Sequence, residues 1–140
     1  MNPATTLTLH FAFWDALLDK IPSLSGARQT LMAETLGIIT QKTALGLANN
    51  PNLNALTDKA HRLEEQLLAV LPAVIEKQPL EASKRAELEA ALAEFPEFQE
   101  EFHAAALSVY ASLLGSVSGM LKQEDLQEIQ QVLDQQGSSN

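Results

Sequence analysis

Residues 53–75 read LNALTDKAHRLEEQLLAVLPAVI, and the spacing within them decides the fold. Leu53, Leu56, Ala60, Leu63, Leu67, Val70 and Val74 recur at alternating steps of three and four residues. That is the seam of a helix that packs against others at about 20° in a bundle or coiled coil. Leu68, Leu71 and Ile75 widen the seam, so a globular bundle is expected over a free two-stranded coil. Pro72 lies opposite the seam and removes a backbone donor, which predicts a kink or a break there.

Upstream, Asn49-Asn50-Pro51-Asn52 is a turn by composition. It closes a helix over about 25–48 that is apolar nearly all round, started by Ser23 or Ser25 as a cap. Leu24, Leu31, Ile38 and Leu45 form a seven-residue repeat, Met32, Leu36, Ile39 and Leu47 a second stripe, and Ala33, Gly37, Ala44 and Ala48 a strip of small residues. A helix without a wide polar face is expected at the centre of a bundle or buried in a dimer. Before it, Asn2 as cap and Pro3 at the first helical position start a helix to about Lys20, ended by Ile21-Pro22. Leu7, His10, Phe11, Trp14, Leu17, Leu18 and Ile21 share its core side. Leu9 and Phe13 lie on the flank, so either a neighbouring helix covers them or they form an apolar strip for a partner.

Downstream, a short charged helix over about 79–94 carries Leu88, Leu92 and Phe95 on a narrow apolar edge. Pro96 with Glu97, Glu100 and Glu101 then starts a fifth helix, since proline suits the first position and acids the positive end of the helix. Its run from Phe98 to Lys122 carries no charge between His103 and Lys122. Phe98, Phe102, Ala106, Val109, Leu113, Val117 and Met120 should face the core. Gly115 and Gly119 give it a thin side that admits a close neighbour, within the chain or across a dimer. Length and lack of charge approach those of a membrane span, but four serines on one face argue for a soluble helix, so membrane association through this helix is the third-ranked reading. Gln123, Glu124 and Asp125 start a sixth helix with Leu126, Ile129 and Leu133 inward, and residues 137–140 should fray.

The expected fold is therefore all-α: one antiparallel bundle of five to six helices over residues 1–136, joined by short loops, with helices 2, 3 and 5 supplying the core. At 140 residues one such core is sufficient. There is no cysteine, which excludes disulfides, thiolate metal sites and thiol nucleophiles and fits the cytoplasm. No secretory signal is expected, because Asp15 interrupts the first apolar run and no positive charge precedes Lys20. The net charge is −9, with seven acids against Lys84 and Arg85 in residues 79–101. Such a surface repels a nucleic-acid backbone, so no nucleic-acid partner is expected.

Three constellations bear on chemistry. Asp58-x-x-His61 and Glu100-x-x-His103 have the spacing of the carboxylate and histidine ligands in di-iron bundles, yet Asp58 and His61 turn away from the seam, which leaves Glu100 and His103 as the metal candidates. His10, Trp14, His103 and Tyr110 lie on apolar faces and are the candidates for a cofactor or flat apolar ligand, with a histidine bonded to a carbonyl or to Tyr110 as the plainer reading. Adjacent carboxylates such as Glu64-Glu65 point about 100° apart and cannot share a substrate, and no phosphate loop or nucleophile elbow is present. No cofactor is expected and an enzyme finds no support. The expected function is a non-enzymatic interaction module of the adaptor, chaperone or inhibitor type acting as a homodimer, with Leu9, Phe13, Ala33, Gly37, Gly115 and Gly119 as candidate interface residues. A ligand- or metal-binding bundle with a site near His10 and His103 is the alternative.

Overall fold

The computed structural model describes residues 3–78 and 80–138, without the side chains of residue 25 and residues 136–138. Six helices pack against each other with no strand among the described residues: α1 Pro3–Lys20, α2 Arg28–Gly46, α3 Leu53–Ile75, α4 Ala82–Ala93, α5 Pro96–Val117 and α6 Gln123–Ser138. Two 3₁₀ turns, Pro22–Ala27 and Ser118–Met120, bridge α1 to α2 and α5 to α6. Asn2, read as a cap, and Pro79, the first residue of the expected fourth helix, lie outside the described residues, as do 139–140 of the expected frayed tail; residues 137 and 138 belong to α6.

The seam of α3 is as the spacing predicts. Leu56, Ala60, Leu63, Leu67 and Val70 are buried, and Leu53 and Val74 are partly buried at its ends. Pro72 does not break it, because the helix runs three residues further to Ile75. The chain turns off the helix at Lys77, which lies two residues past its end and takes a left-handed φ of 64°. Its N–H donates to the Val74 carbonyl at 3.0 Å and the Gln78 N–H to Ala73 at 2.9 Å, the paired bonds of a Schellman cap. A side chain in that conformation costs about 1–2 kcal/mol that glycine does not. The Lys77–Asp15 ion pair is exposed and contributes little against it. Lys77→Gly is therefore expected to raise stability by about 0.5–1 kcal/mol in urea unfolding; a loss would show that the ion pair outweighs the backbone.

The centre of the bundle is α1, where the sequence pointed to helices 2, 3 and 5. It packs against α3, α4, α5 and α6. Leu9 and Phe13 are fully buried together with Leu7, Trp14 and Leu17, so neighbouring helices cover them and neither offers surface to a partner. By contrast α2 lies at the periphery, on α3 and α5. Three threonines help make its inner face: Thr35, Thr40 and Thr43 donate to the carbonyls of Leu31, Leu36 and Ile39 at 2.7, 2.9 and 2.8 Å. A hydroxyl bonded to its own helix can be buried at little cost. Threonine thus takes core positions beside Met32, Leu36 and Ile39, and Ile38 and Leu45 of the leucine repeat are left facing outward.

The uncharged run also differs from expectation. It stops being an α-helix at Val117, where Ser118 donates to the Gly115 carbonyl at 2.9 Å and the chain tightens into the 3₁₀ turn. Met120, expected inside, is 55% exposed, and the buried face of α5 swings toward His103, Tyr110 and Leu114.

Candidate functional site

The four residues read as a ligand site do meet, but they meet each other. On α1, Thr6, His10 and Trp14 are four residues apart and so share one face; on α5, His103 and Tyr110 are seven apart and do the same. His10 Nδ1 lies 2.5 Å from the Tyr110 hydroxyl, Trp14 Nε1 donates to that hydroxyl at 3.0 Å, and Thr6 Oγ1 is 3.1 Å from His103 Nδ1. Phe13 stacks on the Tyr110 ring at 4.2 Å, and Trp14 and His10 meet its ring edge-on at 5.8 and 5.4 Å. All of these side chains are buried. The bonds run 6 to 103, 10 to 110 and 14 to 110, so α1 and α5 lie side by side in the same direction, as odd-numbered helices of an alternating bundle do.

The bonding assigns protons. Burial raises the Tyr110 phenol well above its ordinary value, with the Trp14 bond opposing in part, so the hydroxyl keeps its proton. It accepts from Trp14 and has a proton to give, and His10 Nδ1 is the acceptor within reach. Neutral His10 then carries its proton on Nε2, which is buried with no partner. Burial, with the neighbouring His103 adding to it, lowers the His10 pKa from 6.5 to about 3, so the ring is neutral at physiological pH. A ligand between these residues would have to displace Phe13 from Tyr110, and none of the clefts at the surface described below is lined by them.

Glu100 and His103, the metal candidates, lie in different surroundings. Glu100 is exposed and borders a cleft with Gly46, Leu47, Asn50 and Glu97, whereas His103 is buried against Thr6. No three of His, Asp and Glu converge among the described residues. No helix of the described residues is long and apolar enough to cross a membrane.

The small residues fall in three places. Gly37 is partly buried, and a Cβ built there would lie 3.4 Å from Glu64 of α3, so its close neighbour belongs to the same chain. Ala33 is exposed. Gly115 and Gly119 have open space where a side chain would stand, Gly115 at a cleft between α5 and α6 and Gly119 in the 3₁₀ turn.

The outer face of α2 belongs to a helix expected at the centre of the bundle or buried in a dimer, but its aliphatic residues were not among the candidate interface residues. Ile38 is 47% and Leu45 75% exposed, Leu31 is partly buried in line with them, and Glu34 and Lys42 are exposed beside them. Ile38 and Lys42 also border a cleft of about 270 Å3 whose far wall is Ser108, Ser112 and Ser116 of α5. The seven-residue repeat of Leu24, Leu31, Ile38 and Leu45 was the signal in the sequence, although Leu24 belongs to the 3₁₀ turn and not to α2. No protein family, curated protein or solved structure matches this chain.

Proposed function

We propose that this chain is a non-enzymatic helical interaction module of the adaptor, chaperone or inhibitor type, acting in the cytoplasm through the outer face of α2. The observation that carries the reading is a pair of large aliphatic side chains, Ile38 and Leu45, left facing solvent in line with the partly buried Leu31, on a helix whose other side is packed. Exposing two large aliphatic side chains in one row forgoes their burial, roughly 1.5–3 kcal/mol each, which a partner would recover. The buried polar cluster of α1 and α5 serves the fold and leaves this face to meet other proteins.

Photo-crosslinking inside the native cell tests it. A photoreactive phenylalanine analogue in place of Leu45 is expected to give covalent adducts with protein, and the same analogue in place of Ser83, exposed on α4, is expected to give none. Adducts at position 83 alone, or at neither position, would end the reading.

A further inference from the structure

We infer that the outer face of α2 pairs with the same face of a second copy, the two helices running antiparallel with Ile38 at the two-fold axis. The inference rests on the interaction-module reading and adds the partner's identity and register. Its basis is the placement of residues about Ile38. Leu31 and Leu45 stand seven residues to either side, two turns away on the same stripe, and Glu34 and Lys42 stand four residues to either side. At 3.6 residues per turn, a step of four places Glu34 and Lys42 about 40° to opposite sides of Ile38.

A two-fold axis through Ile38 brings residues at equal distances from it to the same height. Ile38 then meets its own copy, Leu31 meets the other chain's Leu45, and Glu34 faces the other chain's Lys42 across the seam, twice per dimer. Isologous pairing requires such self-complementarity. In a parallel pair the same face would set Glu34 against Glu34 and Lys42 against Lys42, so charge decides against it. Glu34 and Lys42 are the charged residues of α2 beside this stripe, and both are exposed. Beside them, the serines at 108, 112 and 116 border the cleft with short side chains, so α5 does not bar a helix approaching α2.

The chain contains no cysteine, so the register can be read by single introduced thiols. In sedimentation equilibrium the full chain is expected to dimerise reversibly at micromolar concentration, as befits a small interface. Ile38→Cys is expected to form a covalent dimer on mild oxidation. Leu31→Cys mixed with Leu45→Cys should form the mixed disulfide, while Leu45→Cys alone should remain reduced, because its copies lie at opposite ends of the seam. Glu34→Lys and Lys42→Glu should each weaken the dimer on the order of 10-fold, and the double exchange should restore it. A chain that stays monomeric to near-millimolar concentration, rapid oxidation of Leu45→Cys alone, or a double exchange no better than either single one overturns the inference. In the cell, an adduct at position 45 with a different protein overturns the second copy and retains the interaction module; no adduct removes both.

Discussion

Replacing Phe13 with alanine is expected to lower the unfolding free energy by about 3–5 kcal/mol. Phe13 is fully buried and stacks on Tyr110 at 4.2 Å, so truncation removes the buried ring and leaves a cavity at the junction of α1 and α5. The lost ring pair adds to the transfer and cavity terms, about 0.5–1.5 kcal/mol for a stacked geometry. The natural control is Leu45→Ala, which should stay within about 0.5 kcal/mol in dilute protein because Leu45 is 75% exposed. Urea titrations followed by far-ultraviolet circular dichroism check both. A Phe13→Ala loss no larger than the Leu45→Ala loss would mean that Phe13 stands at a surface.

The second large effect is a dependence of stability on pH that traces to His10. Its folded pKa of about 3 lies below the unfolded 6.5. Above pH 6.5 the ring is neutral in both states and makes no difference. Between those values the unfolded chain binds a proton that the folded chain refuses, so stability falls as pH falls, by about 1.4 kcal/mol per pH unit. Over the two units from pH 6.5 to 4.5, above most carboxylate titration, the loss attributable to this ring is about 2 kcal/mol, because the unfolded ring is already half protonated at pH 6.5. His10→Gln removes the titrating ring and keeps an acceptor for the Tyr110 hydroxyl. The variant should be less stable at neutral pH and show a shallower slope in that window; equal slopes would mean that His10 is protonated in the folded state.

Much of this was open to reading in the residues. The three-four spacing of α3 fixed the class, because a seam of that regularity has one physical use. That a histidine on an apolar face would be bonded, to a carbonyl or to Tyr110, was open to reading, since such a ring needs a partner, but which histidine takes Tyr110 was not. The centre of the bundle was harder. Leu9 and Phe13 off the main stripe of helix 1 were the sign that this helix is covered on several sides, but a flank residue looks the same whether a helix or solvent lies beside it. Helix 2 misled for a different reason. The reading followed its leucine and isoleucine stripes and gave its threonines no place, yet Thr35, Thr40 and Thr43 each bond to the backbone one turn back, so the threonine-bearing side turns inward and Ile38 and Leu45 turn outward. Hydropathy cannot register that exchange, because it scores the hydroxyl without its partner. The proton on His10 Nε2 was equally out of reach, since it depends on which groups lie around the ring.

Trp14 is the single tryptophan of the chain, and its indole N–H is held by Tyr110, 96 residues further along. The molecule therefore carries one indole fluorophore, which can be excited apart from Tyr110, placed where its first helix docks on its fifth. Helices can form locally in microseconds or less, whereas this contact requires closing a loop through most of the chain. Its emission reports that long-range closure and little of the earlier helix formation. Kinetics followed by tryptophan fluorescence and by helical signal need not coincide, and the lag between them would measure how long the helices wait before the two ends of the chain meet.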